Sequence, residues 1–288
     1  MNIDIICPLY NAEKNIKDLH KSLLKQKNVK VNKIRYVLTE GKDNTENILE
    51  DLKINYKKIR KEEFSHSFTR EKEAFESDAD IIVFITQDVK IVRDDWLYYL
   101  TKDIIDGKVD ACYSRQLCNN NTIEKYTRES NYPEKSRIVS KEDVKKLGLK
   151  TFFFSDASSA ISNQVFKKLN GYDQKKLPIS EDMYIAYKLI MNGYKIKYCS
   201  DSEVIHSHTF TLKQIYERYK LTGKFFKENN YLNNYKVNQA GGSLAKYILN
   251  RAIQDKNWKA LVNFLPNMSA RFIGMKVGKI LWIMIWYL

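Results

Sequence analysis

The chain has 288 residues, 29% of them charged and 43% hydrophobic. That length buries a full core and accommodates one large α/β domain with an appendage, and the composition sets aside a chain too polar to fold. The formal net charge of +14 implies an anionic partner, whether nucleotide, nucleic acid or anionic lipid, without choosing among them.

In chain order, Ile3 to Leu9 predicts a first strand, ended by Pro8 and the turn-prone Asn11. From Glu13 to Gln26, Ile16, Leu19, Leu23 and Leu24 share one helical face. A second strand at Ile34 to Leu38 runs into the polar stretch Thr39–Thr45, and a second helix turns Ile48, Leu49 and Leu52 inward. A short strand lies near Ile54 to Ile59, and Phe64-Ser65-His66-Ser67-Phe68-Thr69-Arg70 leads into another helix. Next come the strand Ile81–Thr86, the helix Trp96–Ile105 and a strand at Val109 to Tyr113. Strands alternating with helices at this spacing predict βαβ units and a mostly parallel sheet.

Residues 114–150 are polar and weakly periodic, which reads as a long excursion, a lid or an acceptor-side loop. Order returns at Phe152 to Ile161, followed by a short helix from Gln164 to Leu169 that ends at Gly171. A helix over Glu181 to Asn192 and strands at Tyr194–Cys199 and Glu203–Ile205 lead to His206-Ser207-His208. Beyond Thr211 the pattern is helical, with expected interruptions near Asn229–Gly242 and at Pro266. There is no internal repeat.

The four cysteines, Cys7, Cys112, Cys118 and Cys199, contain no CxxC pair and read as reduced thiols of a cytoplasmic protein. Spacing alone would allow a Cys112–Cys118 disulfide. No signal peptide is expected at the N-terminus, and the apolar run Ile280 to Leu288 is too short to span a bilayer.

The stretch Ile81-Ile82-Val83-Phe84-Ile85-Thr86-Gln87-Asp88 organises the rest. A continuous apolar run predicts a strand buried on both faces, and ligands gather at the carboxyl ends of such strands. Asp88 is placed there to hold a metal ion or a polar ligand. The alternative is a helix cap, a task for which Asp94 or Asp95 is better positioned. The same rim is expected to collect Glu181-Asp182 and His206/His208. Asp and His donors suit Mg²⁺ or Mn²⁺, and a second carboxylate held away from the metal suits a general base. Each group alone has a plainer account: Glu181-Asp182 as charge complementing a helix N-terminus, and His208 as an ordinary surface histidine.

Pro8-Leu9-Tyr10-Asn11, Asp88, and Ser180-Glu181-Asp182 together resemble glycosyltransferase family 2, an inverting family with the GT-A fold. Phe64-Ser65-His66 with Arg70, Thr86-Gln87-Asp88, Phe154-Ser155-Asp156, Glu181-Asp182-Met183 and His206-Ser207-His208 are similar to its bacterial rhamnosyltransferase branch. The resemblance covers about residues 1–225, with 1–115 as the nucleotide-sugar half and 116–225 as the acceptor and catalytic half. It implies that Pro8, Tyr10 and Asn11 frame the nucleotide, with Glu40, Arg70, Gln87 and Asp88 on the donor. It implies His66, Asp156 and Glu181 near the acceptor or behind the site, Asp182 as the base, and a divalent cation on Asp88, His206 and His208. Thr86 and Thr39 stand where the family carries aspartates, and Glu71 where the branch often has asparagine.

The function expected is metal-dependent inverting transfer of L-rhamnose from dTDP-rhamnose to a glycan or lipid-linked oligosaccharide, in cell-surface polysaccharide synthesis. The alternatives are a UDP-hexose donor and a catalytically inactive glycan- or nucleotide-binding protein. Without a recognition module, nucleic acid is the poorer account of the charge, and without GxGxxG after the first strand a dehydrogenase is disfavoured. The helical tail 226–288 has no acid after Asp255 and mixes Lys256, Lys259, Arg271, Lys276 and Lys279 with aromatics. That mixture is expected to dock on the cytoplasmic face of an anionic membrane, with Trp282, Ile283, Ile285 and Trp286 at the headgroup boundary. An ordinary packed or dimer-forming helix is the alternative.

Overall fold

Alternation along two buried strands divides the core. In the computed structural model, which describes residues 1–235 and 237–280 (side chains at 237–241 excepted), strand β1 is Ile3–Leu9, α1 Ile16–Leu24, β2 Val31–Thr39, α2 Thr45–Asp51 and β3 Tyr56–Ile59. Then follow α3 His66–Phe75, β4 Ile81–Ile85, β5 Lys90–Ile91, α4 Trp96–Ile105, β6 Ala111–Leu117, α5 Ile123–Asn131, β7 Arg137–Val139 and α6 Val144–Leu147. The chain continues through β8 Ser158–Ser162, α7 Asn163–Lys168, α8 Glu181–Met191, β9 Ile196–Ile205, α9 Leu212–Glu228, α10 Val237–Gln254 and α11 Trp258–Ile280.

All five residues of β4 are buried, and burial of each such side chain contributes roughly 1.5–3 kcal/mol. Successive side chains of a strand point to opposite faces. Ile81, Val83 and Ile85 therefore join Ile3, Ile5, Cys7 and Leu9 beneath α1, α2 and α4. Ile82 and Phe84 join Ile6 on the other face, beneath α7, α8 and α9. A third, smaller cluster ties α5 to α10 and α11 through Ile123, Tyr126, Ile248, Ala252 and Ala260.

The strands form one sheet in the order β3-β2-β1-β4-β8-β6-β9-β5, with β7 also on β9. β3, β2, β1 and β4 are parallel throughout, as the βαβ spacing predicts. Beyond β4 the sheet is mixed: β8 runs antiparallel between β4 and β6, while β6 and β9 are parallel to each other. This register decides where the chemistry collects. The carboxyl ends of β4, β6 and β9 and the amino end of β8 share one edge, which carries Asp88, Gln116, His206 and Asp156.

Two expectations are corrected. The excursion over 114–150 is ordered: β6 runs to Leu117, and α5, β7 and α6 follow. Its polar residues hide this because they are buried in hydrogen bonds; Ser114 Oγ receives Trp96 Nε1 at 3.0 Å and Ser158 Oγ at 2.6 Å. The expected break near Asn229–Gly242 is present but shorter, since α9 ends at Glu228 and α10 begins at Val237 and runs through Gly242; Pro266 lies inside α11 and interrupts nothing. The carbonyl that Pro266 leaves without a donor is that of Val262, whose residue is 75% exposed and open to water. The four cysteines are free thiols, three of them buried. α11 lies against α9 at glycines: a Cβ on Gly274 would sit 2.5 Å from the Tyr216 carbonyl oxygen.

Candidate active site

A cleft of about 830 Å³ opens along the shared sheet edge, and Asp88, Asp182, His206 and His208 all line it. Pro8, Tyr10, Arg70, Gln87, Asp156 and Glu181 line it too, as does His66.

At one corner Asp88 faces two imidazoles. Its carboxylate oxygens stand 3.5 Å from His206 Nε2 and 3.6 Å from His208 Nδ1, and the ring centroids are 4.5 Å apart. Burial alone would raise the Asp88 carboxyl, but its contacts with His206 and then His208 hold it well below the usual carboxylate range. His206 Nδ1 lies 2.9 Å from Gln116 Oε1. That oxygen also accepts from Arg128, and Gln116 Nε2 donates to Ser155 Oγ at 2.8 Å. The amide is thus oriented and Nδ1–H is committed to it, so that Nε2, on the Asp88 side, is the nitrogen available to a cation in place of a proton. Ligand atoms of Asp88, His206 and His208 all fall within 4.8 Å of one another. One carboxylate and two imidazoles at that separation fit a divalent cation of borderline hardness.

At the other corner Ser180 adopts a left-handed backbone, φ 62° and ψ 23°, immediately before α8. Such a conformation is costly for serine and sets the direction in which Glu181 and Asp182 leave the turn. Burial raises the Asp182 carboxyl well above its ordinary value, and Glu181 and Asp156 add to it. Asp156 is buried between Tyr172 OH at 2.6 Å and Ser159 Oγ at 2.9 Å. Burial, with Glu181 adding and Arg70 opposing, leaves its carboxyl raised to about 6. Arg70 is expected from sequence at the donor, yet its Nη1 donates to Glu181 Oε1 at 3.1 Å and its Nη2 reaches the Asp156 carbonyl at 3.5 Å. It is the buried counter-charge of this acidic trio, and its Nε has no partner among the described residues. His66 meets Phe64 edge-on, at 5.1 Å. Desolvation, then Arg70 and Arg218, lower its imidazole to about 4, so it enters the cleft as a neutral ring.

On the side of β1 and β2 the expected donor contacts divide. Gln87 uses both ends of its amide on the Tyr10 backbone, at 2.7 and 2.8 Å, and clamps the exits of β1 and β4 together. Asn11 is outside the cleft lining; its Oδ1 accepts from Lys42 N at 3.0 Å and presses on Gly41 where a Cβ would have to sit. Glu40 is also outside. Its N–H continues the β2–β3 ladder to the Ile59 carbonyl, and it borders a neighbouring pocket with Gly41, Asp43 and Lys58. Thr39 lines the cleft in its place, with a buried Oγ1 that has no partner among the described residues. Glu71, the other departure, is buried and accepts from Gln174 N.

Sequence reasoning missed a whole wall: Thr127, Arg128 and Tyr132 from α5 and just beyond it, Arg218 and Tyr219 from α9, and Arg271 from α11. The only available signal was the helical spacing of Ile123, Tyr126 and Thr127, diluted by polar neighbours.

The profile of Glycosyl transferase family 2 matches residues 4–169. The chain is 33% identical to O-antigen chain rhamnosyltransferase RfbN of Salmonella typhimurium over 97% of this chain and 90% of that one. It is 32% identical to O-antigen chain rhamnosyltransferase WbaN of Salmonella anatum, over 96% and 88%. Among solved structures, mannosyltransferase PcManGT from Pyrobaculum calidifontis, in complex with GDP-Man and Mn²⁺, aligns with a TM-score of 0.65 at 14% identity, over 98% of this chain and 87% of that one. The GT-A fold anticipated from sequence is thus the fold observed, and this chain is a glycosyltransferase belonging to family 2.

Proposed function

We propose that this enzyme transfers L-rhamnose from dTDP-rhamnose, with inversion, to a hydroxyl of a lipid-linked glycan during cell-surface polysaccharide synthesis. The observation that carries the proposal is the presence, in one cleft, of both the Asp88–His206–His208 cluster and Asp182. The rhamnose donor rests on the names of the two relatives. The metal dependence rests on the donor set, and is in keeping with the Mn²⁺ of the mannosyltransferase.

Asp88, His206 and His208 would hold Mg²⁺ or Mn²⁺, which when bound neutralises charge on the departing diphosphate. Pro8 and Tyr10 flank the nucleotide, and the free Thr39 hydroxyl offers it a hydrogen bond. Asp182 takes the proton from the acceptor hydroxyl as its oxygen bonds to the anomeric carbon and the bond to the diphosphate breaks. A carboxylate held above its ordinary pKa is the stronger base for that step. In this arrangement residues 1–115 hold the donor, and 116–225 supply the base and the acceptor side.

Thermal-shift measurements with dTDP, UDP, GDP and CMP, each with and without Mn²⁺, test the donor. Selective, Mn²⁺-dependent stabilisation by dTDP is expected. A preference for UDP would replace the donor by a UDP-hexose, and no response to any nucleotide would leave a binding protein for glycans.

The same reading places the enzyme peripherally on the inner face of the membrane. No helix among the described residues is long and apolar enough to cross a bilayer. α11 instead exposes Trp258, Val262, Leu265, Phe272, Ile273 and Ile280 at 51–75%, with Lys276 over the Phe272 ring. Trp282, Ile283, Ile285 and Trp286 lie outside the described residues. A tail packed so closely on α9 is better tested by substitution than by truncation. Trp258→Gln, Leu265→Gln and Phe272→Gln together should abolish co-sedimentation with anionic vesicles, while wild type pellets with anionic and not with neutral ones. Equal pelleting by the triple variant would return α11 to a purely structural role.

A further inference from the structure

The helical wall of the cleft carries two positive charges that no acidic side chain among the described residues matches. Arg218 lies over the Phe210 ring at 4.9 Å, and Phe210 in turn stacks on His208 at 4.9 Å. Arg271 donates to three neutral oxygens: Asn267 Oδ1 at 2.7 Å, Tyr219 OH at 3.0 Å and Thr127 Oγ1 at 3.5 Å. The carboxylates of the surrounding helices are already committed. On α5, Glu124 pairs with Arg128 and Glu129 with Arg251; on α9, Glu217 pairs with Lys220 and Glu228 with Lys224. α11 has no acidic residue at all. Among the described residues, therefore, neither Arg218 nor Arg271 has an ion-pair partner. The half-buried Arg271 guanidinium lacks a counter-ion until an anion arrives, the exposed Arg218 offers a second free fork on the same wall, and forked donors match phosphate oxygens.

We propose that Arg218 and Arg271 form an anion subsite that binds a phosphate-type dianion on the acceptor, a diphosphate or a phosphate ester, and so orients the acceptor hydroxyl toward Asp182. This rests on the glycosyltransferase reading of the cleft and adds the acceptor's chemical class to it. The wall is assigned to the acceptor because it is built by α5, α9 and α11 while the exits of β1, β2 and β4 occupy the donor side; Arg218 is linked to the Asp88 corner through Phe210 and His208. Arg271 also joins α11 to α5 and α9, so the subsite is complete only when the C-terminal helix is docked.

The test is calorimetric titration of full-length protein already saturated with dTDP and Mg²⁺, using farnesyl diphosphate and inorganic pyrophosphate as probes. Farnesyl diphosphate is expected to bind, and Arg218→Gln and Arg271→Gln each to weaken it about tenfold with dTDP affinity unchanged. Arg271→Lys, which keeps the charge but not the fork, should lose less affinity than Arg271→Gln while remaining below wild type. Arg218 is exposed, so its variant remains informative even where loss of Arg271 disturbs the helix packing. Pyrophosphate binding as tightly as farnesyl diphosphate would support the subsite and assign its anion to a soluble phosphate instead of a lipid. The inference is overturned if neither probe binds the dTDP-loaded protein, if neither substitution to Gln weakens binding, or if those substitutions weaken dTDP itself. Failure of dTDP to bind wild type, with probe binding still sensitive to both arginines, would instead count against the donor reading and leave the subsite standing.

Discussion

Asp88 and Asp182 are the same residue type in the same cleft, and their surroundings drive them apart. Both are penalised by burial. At Asp88 two imidazoles outweigh the penalty and hold the carboxyl low. At Asp182 the neighbours are Glu181 and Asp156, which add to the penalty, and Arg70 compensates only in part. The pair shows that role follows from neighbours: a carboxylate held ionised suits a cation, and one held above its ordinary range suits a proton.

The largest expected effect comes from erasing the second member of that pair. Asp182→Asn should lower kcat by at least about 10³-fold, within the range a general base supplies, while dTDP affinity measured by calorimetry stays within about twofold. A variant that keeps its kcat would place the base elsewhere and remove the contrast.

Asp156 sharpens the comparison on stability. Its carboxyl is raised to about 6 in the folded protein from an ordinary value near 3.8. The folded state therefore holds this proton more tightly than the unfolded chain. The stability it contributes is full below about pH 4 and is lost as pH rises through about 6. Asp156→Asn, which mimics the protonated acid, should match wild type near pH 4 and exceed it by up to about 3 kcal/mol at pH 7.5. Urea denaturation at the two pH values measures this. Equal stability at both would mean that Arg70 and Tyr172 compensate the charge fully.

What could be read from the sequence follows the same division. Ile81–Ile85 announces a central strand because every position is apolar, and Asp88 is found because it ends that run. The histidines after β9 are legible because they close a second strand. The wall from α5, α9 and α11 was not legible: Thr127, Arg218 and Arg271 are distant in sequence and meet only through helix packing, at contacts such as Gly274 on Tyr216. Arg70 was visible as a residue but its partner was not, since Glu181 lies 111 positions away. Glu40 and Asn11 show a further limit. A motif marks the turn after a strand, but the ladder bond from Glu40 N to Ile59 O decides which side chain faces the cleft.

The smallest expected effect concerns Gln116, which touches neither substrate nor cation and acts through His206. Sequence periodicity passes over it because β6 turns polar after Tyr113, yet its side chain is almost completely buried. Its Oε1 fixes the proton of His206 on Nδ1, and its Nε2 is anchored by Ser155. Without that acceptor the ring can rotate or carry its proton on Nε2, where it would face Asp88 and repel a cation. Gln116→Ala should therefore weaken Mn²⁺ affinity about tenfold, the lower end of what is typical when a partner behind a metal-binding histidine is lost. Gln116→Glu, which keeps an acceptor at the same place, should restore much of it. The readout is Mn²⁺ titration followed by electron paramagnetic resonance in the absence of donor, so that nucleotide binding cannot mask the change. A purely structural role for Gln116 would lower thermal stability in both variants and leave Mn²⁺ affinity of the folded protein equal to wild type. If instead the alanine variant alone loses affinity, the Asp88 corner depends on its histidine tautomer as much as on its carboxylate.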